Sequence, residues 1–345
     1  MRVGFISRKY DDGYVGGDRI LDDKTRKALS GFVQLSTLEL HRDRTSASIV
    51  RAITRCGHPA HQIYASQENS ALIADFSINN DAIVISHEGL IEPFLTASVD
   101  TPACLLLHNA LSCAMGNLGV RGFFRGGAER LERRAFSRKA TSAIVLSRRE
   151  RLILEAEGWK NVASCPPGIR GVFQSPILRF EEEKIVVNGS TDWGLKRRDL
   201  DAFLKGFYSA RLPITLTSEN EISDDGTLRV AVVTDRFKTG FKLKAADLLC
   251  RNTALISFLD ISDDFPRECA PSASLRVIRS PKDIPRAIQE LRENFDTVVQ
   301  EIEAIKRTMM ESMSWERLGE VILLSIRQVV MDCVNSHPEV SRLGE

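Results

Sequence analysis

Short apolar runs rich in Val, Ile and Leu alternate with longer polar, helix-compatible stretches along nearly the whole chain, and no other feature narrows the possible folds as much. In the first half the runs are Val3–Ser7, Val33–Leu40, His61–Ala65, Asp81–Ser86, Ala103–His108 and Ser142–Ser147. The second half repeats the rhythm with Lys184–Asn188, Ile214–Thr217, Leu228–Val233, Thr253–Phe258 and Ser274–Ile278, and with helices expected at Asp199–Ser209, Leu243–Arg251 and Pro281–Glu293. Strands separated by helix-length segments predict an α/β fold with largely parallel sheets, because parallel neighbours need a long crossover connection. Between the halves lies CPPGIRGVFQSPILRFEEEK, whose Pro, Gly and charge read as a linker, with the boundary near Gly168–Glu183. A chain of 345 residues suits two such domains, 1–170 and 171–345. Apolar residues at helical spacing from Val298 through Ile302, Ile305, Met309 and Met313 to Leu318 predict long closing helices.

Several function classes drop out. A net charge of +1 nominates no nucleic-acid partner. The seven cysteines are scattered without a Cys-x-x-Cys pair, against both a zinc site and a disulfide framework. MRVGFISRKYDD reads as a strand and not as a signal-peptide core, and no run reaches the ~20 apolar residues of a spanning helix; the expected location is the cytoplasm. Two tandem nucleotide-binding-type halves favour a ligand outside the strand C-termini, where loops and helix N-termini present N–H groups to phosphate. After the first strand there is no G-x-G-x-x-G but a polar loop ending in YVGGDR, with Gly16 and Gly17 adjacent, so the dinucleotide fingerprint is missing.

The ordered pieces of the chain resemble the retaining GT-B glycosyltransferases of the group 1 kind, glycosyltransferase family 4. In the first half these are the Gly16–Gly17 loop, SIVRAITRCGHPAHQIY with its Gly57–His58 turn, PACLLLHNA with His108 and Asn109, and the stretch through Glu132 and Ser147 to Pro166, Pro167 and Gly168. In the second half VVNGSTDWGLKRRDLDAFLKGF is similar to the family's diphosphate-binding strand and turn, and GFKLKAADLLCRNTALISF to its nucleotide-sugar grip. SWERLGEVILLSIRQV resembles the C-terminal helix that crosses back onto the first domain.

The resemblance implies an acceptor domain followed by a donor domain, two Rossmann-like halves facing each other across a cleft. It implies transfer of a hexose-like unit, with retention, from a nucleotide-diphosphate sugar to a glycan, lipid-linked or small-molecule acceptor. Gly189, Ser190, Lys196, Arg197, Gly240 and Lys244 then fall at the donor diphosphate, Asp247 at the ribose, Gly16, Gly17 and Asp18 on the acceptor-side loop, and His108 at the reacting centre. The residue types suit the chemistry. Cleaving a sugar–diphosphate bond builds negative charge on the leaving phosphates, which fixed cations and N–H donors stabilise. His87 and Glu88, at another strand end, are expected on the same rim. The sequence departs from the family where Thr239 replaces the first of two donor-site glutamates and Asp247 the second.

No Asp-x-Asp stands at a strand end, so no metal and no cofactor beyond the nucleotide sugar are expected. The segment Arg121–Arg151 carries ten basic residues against three acidic ones and predicts peripheral contact with an anionic membrane. Two alternatives stay open: a nucleotide-sugar epimerase on the same fold, and a non-catalytic homologue that binds or scaffolds.

Overall fold

The computed structural model describes residues 1–11, 13, 16–43, 50, 63–110, 121–137, 141–189, 194–237 and 240–336. Of the positions singled out above, Ser190, Thr239 and the Gly57–His58 turn lie outside these residues, as do Arg138 and Lys139 of the basic segment. The chain divides into two compact units, one of Met1–Pro166 completed by the segment from Trp315 onward, the other of Pro167–Ser314.

The first unit is built on a sheet of order β2-β1-β3-β4-β5-β6 in which all strands are parallel. Its strands are β1 (Arg2–Arg8), β2 (Gln34–Leu40), β3 (Ala82–Ser86), β4 (Ala103–Leu107), β5 (Thr141–Val145) and β6 (Val162–Ser164). Every residue of β3, β4 and β5 is buried, as expected of central parallel strands covered on both faces. Helices α1 (Gly17–Ser30), α2 (Gln67–Ile78), α3 (Ile91–Ala97), α4 (Arg121–Phe136) and α5 (Arg148–Ala156) make the crossovers. The run His61–Ala65 forms no strand at its described residues: Ile63 and Tyr64 form a turn, with Tyr64 buried in the core instead.

The second unit holds a parallel sheet of order β11-β10-β9-β7-β8. Its strands are β7 (Arg179–Asn188), β8 (Thr215–Thr217), β9 (Thr227–Val233), β10 (Thr253–Ser257) and β11 (Leu275–Val277). Its helices are α6 (Gly194–Ala210), α7 (Leu243–Cys250), α8 (Ile284–Glu293) and α9 (Phe295–Ser312). The charged stretch RFEEE, read above as linker, is the first part of β7. It carries exposed glutamates, and its pairing with β9 is irregular between Phe180 and Ile185, so its burial pattern resembles a loop.

The last helix, α10 (Trp315–Ser336), belongs to the first unit. It lies against α1, β4 and β5. Gly319 permits this approach, since a Cβ there would stand 3.2 Å from Ala28 Cβ. Ser325 on α10 donates a hydrogen bond to the Ser142 hydroxyl on β5 at 2.9 Å.

In each sheet the chain moves outward to one side of its first strand and then returns to the other. The switch points therefore fall between β1 and β3 and between β7 and β9. In open α/β sheets the crevice outside the strand ends at such a point is where ligands bind.

Candidate functional site

The first switch point gathers a closed polar network. Asp18 stands in the first turn of α1, where a carboxylate suits the helix dipole, and Gly16 is the residue that caps that helix. Asp22, one turn further on, is completely buried. His108 follows β4 and is 3% exposed, so that its ring is shut off from bulk water. Its Nδ1 lies 3.4 Å from Asp18 Oδ1 and its Nε2 3.3 Å from Asp22 Oδ1. Ser86, the last residue of β3, donates its hydroxyl proton to Asp22 Oδ1, and its oxygen is 3.1 Å from His108 Nε2. Tyr10 donates to Asp22 Oδ2 at 2.6 Å. The Arg8 guanidinium pairs with Asp18 and lies over the Tyr10 ring at 4.9 Å.

These contacts set the charges. Burial alone would lower the basicity of His108, but hydrogen bonds to Asp18 and Asp22 push its pKa up to about 10. Desolvation opposes ionisation of Asp18, yet His108 and Arg8 hold its carboxyl far below the ordinary carboxylate range. Burial raises the pKa of Glu88, whose carboxylate accepts from the Asn109 backbone N–H at 3.3 Å and from the Asn109 side chain at 3.2 Å.

His87 adopts φ +99°, a conformation that costs a β-carbon-bearing residue of order 1–3 kcal/mol and tends to occur at functional sites. Its Nδ1 accepts the Gly89 N–H at 3.0 Å. Asp18, His87 and His108 each offer a ligand atom within 4.8 Å of the others, the spacing of a metal trio. The hydrogen bonds do not leave the lone pairs such a trio needs. His87 Nδ1 is occupied by Gly89, so Nε2 carries the proton toward Glu88 Oε1 at 3.7 Å, and both nitrogens of His108 face carboxylates.

Two further residues singled out in the sequence, Ser147 and Glu132, are fully buried. Ser147 caps α5 by accepting the Glu150 N–H at 3.3 Å. Glu132 is buried on α4.

The second switch point is organised differently. Gly189 follows β7, and a Cβ there would come within 2.8 Å of the Leu200 side chain on α6 and 3.1 Å of the Thr234 hydroxyl, so a larger residue would have to push the Leu200 side chain aside. The basic residues Lys196 and Arg197, expected ahead of a helix beginning at Asp199, lie inside the first turns of α6, Arg197 exposed and Lys196 half-buried. Across the switch, the loop after β9 runs through Gly240, at φ +61°, into α7.

Lys244 is exposed on α7, 3.7 Å from Glu219. Asp247 is buried and its Oδ1 accepts the Arg170 backbone N–H at 3.0 Å, with the Arg170 Nε 3.5 Å from Oδ2. Burial raises its pKa. It therefore anchors the start of the second unit, with carboxylate lone pairs left over for another donor.

The group that sequence reasoning passed over is Lys242. Its ammonium is buried, 2.8 Å from Asp235 Oδ2, 3.4 Å from the Phe237 carbonyl and 4.6 Å from the centre of the Phe237 ring. A lysine just before a helix, seven residues after an aspartate in the same loop, is its one trace in the sequence. Asp199, also buried, fixes the same loop by accepting the Arg236 N–H at 2.8 Å.

No family model matches the chain. No curated protein matches it by sequence. Solved structures do. The chain is similar to sucrose-phosphate synthase from Thermosynechococcus elongatus, at 12% identity over 97% of this chain and 99% of that one, with a TM-score of 0.61. HepE of Anabaena, solved in complex with UDP, aligns at 9% identity over 97% and 100% with a TM-score of 0.57. The lipopolysaccharide outer core galactosyltransferase WaaB aligns at 12% identity over 99% and 100% with a TM-score of 0.52. These likenesses show the fold, the GT-B architecture of two parallel-sheet α/β units.

Proposed function

We propose that this GT-B chain is a glycosyltransferase that moves a hexose-like unit, with retention, from a nucleotide-diphosphate sugar to a glycan, lipid-linked or small-molecule acceptor. The observation that carries the reading is the second switch point. There Gly189 closes the strand end and Lys196 and Arg197 occupy the first turns of α6. Cations at a helix N-terminus oppose the helix dipole, so their placement favours a bound anion such as a diphosphate. Asp247 supplies the acceptor for ribose hydroxyls, and the UDP held by HepE makes a uridine nucleotide the first to try. The test is a thermal-shift panel of UDP, GDP, ADP, TDP and their sugars, followed by donor hydrolysis without acceptor. A ligand specific to the folded state raises its stability in proportion to the logarithm of concentration over Kd. Absence of a shift for every nucleotide would overturn the reading.

Because fixed cations and N–H donors can neutralise the leaving diphosphate, turnover is expected to need no divalent ion. Activity measured in excess EDTA should equal the untreated rate within error; loss on chelation and recovery with manganese would contradict this.

The acceptor unit carries the basic segment. Arg130, Arg133 and Arg134 are exposed at three- and four-residue spacing on one face of α4, opposite buried Glu132 and Ala135. An anionic leaflet attracts each such residue by about 1 kcal/mol. The triple change Arg130→Glu, Arg133→Glu and Arg134→Glu should release the protein from vesicles rich in anionic lipid while nucleotide binding is retained. Sedimentation with neutral and anionic vesicles at two salt concentrations reads this, and equal, salt-insensitive binding to both would count against it.

A further inference from the structure

We infer that Asp22 is a positioning residue which, together with Asp18, keeps His108 doubly protonated, so that His108 is a fixed cation at the end of β4 and not a proton acceptor. The Ser86 hydroxyl has one proton and gives it to Asp22, so the lone pair it turns toward His108 Nε2 at 3.1 Å requires a proton on that nitrogen. Nδ1 faces the carboxylate of Asp18 at 3.4 Å and must carry a proton too, since two lone pairs would otherwise repel. Both ring nitrogens therefore face carboxylates, Nδ1 that of Asp18 and Nε2 that of Asp22.

Asp22 has its own requirement. It is completely buried, and the protons from Tyr10 and Ser86 solvate its charge without neutralising it, so the neighbouring imidazolium balances it. Among the described residues the charged and titratable groups that face the ring are Asp18 and Asp22 from α1, which favour the imidazolium, Arg8, whose cation is taken up by Asp18, Tyr10 beyond the end of β1, and His87 and Glu88 after β3. Arg8 occupies the far oxygen of Asp18, which leaves Oδ1 for the ring. The consequence for sugar transfer rests on the function proposed above: the proton leaving the acceptor must go to an oxygen of the donor or another group, because His108 is already loaded. The clamp itself does not depend on that reading.

Nitrogen-15 NMR of the side chains in the full protein decides the matter, with the His108→Gln variant used only to assign the signals among the six histidines. His108 should show two protonated nitrogens at pH 7 and keep them past pH 8.5, losing the second near pH 10. In Asp22→Asn its proton affinity should fall by roughly tenfold or more, and Asp22→Glu should recover part of it. A neutral His108 at pH 7 in the unaltered protein overturns the inference whether or not the variants fold, and so does an unchanged titration in Asp22→Asn. Neither reading involves turnover, so failure here is separate from failure of the transferase assignment.

Discussion

Lys242→Ala is expected to destabilise the second unit by about 3–5 kcal/mol, and Asp235→Ala by a similar amount, because each leaves one buried charge without its partner. The pair is enclosed: both side chains are at most about a tenth exposed, and among the described residues the ammonium has the Asp235 carboxylate, the Phe237 carbonyl and the Phe237 ring to replace its hydration. The double change Asp235→Leu and Lys242→Met should be far milder than the sum of the two single changes, since replacing a buried pair by apolar groups of similar volume is often close to neutral. Denaturant unfolding of the three variants measures both effects. A loss below about 1 kcal/mol for either single variant, the value of a surface pair, would show that water reaches this site.

Lys196→Ala should leave the fold intact and weaken diphosphate binding by roughly ten- to a hundredfold, the worth of one charge-assisted hydrogen bond of about 1.5–3 kcal/mol. Arg197→Ala should cost less, because Arg197 is exposed and surface charge is screened. Asp247→Asn makes the companion measurement. An amide oxygen can still accept the Arg170 N–H, so the anchor survives, while the charge available to ribose hydroxyls is removed and affinity should drop. Isothermal titration with the best nucleotide from the thermal panel reads all three. Unchanged affinity in folded Lys196→Ala and Asp247→Asn would leave the donor site unsupported.

The fold was legible where burial is two-sided. The apolar segments AIVIS, ACLLL and TSAIV announce β3, β4 and β5 because both faces of a central parallel strand are covered. β6 escaped notice, being three half-buried residues at the sheet edge, too short to show a period. The glutamates of β7 hid half of a strand for a related reason: where one end of a strand is exposed, composition alone resembles a loop.

At the site, His108 and Asp18 could be singled out by their places after a strand and beside a glycine pair. Asp22 could not, because a carboxylate on the inward face of a helix leaves no local mark and meets Ser86, Tyr10 and His108 only once β1, β3 and β4 are side by side. The same holds in the second unit. The sequence singled out Lys244, which is exposed beside Glu219, and left no mark on Lys242, which is buried against Asp235 only once the loop after β9 has folded.

The chain's return to its first sheet bears on how a ribosome must deliver it. Helix α10, which lies against α1, β4 and β5, is made after every residue of the second unit has been joined to the chain. Until then the sheet face carrying Ser142, and the groove beside Ala28 that receives Gly319, have no cover. The second unit is contiguous in sequence and can close as soon as it emerges, whereas the first must wait, partly assembled, for the segment from Trp315 onward. For this molecule the order of synthesis and the order of completion run in opposite directions, and the N-terminal half is the one whose apolar surface is exposed longest to chaperones and to other nascent chains.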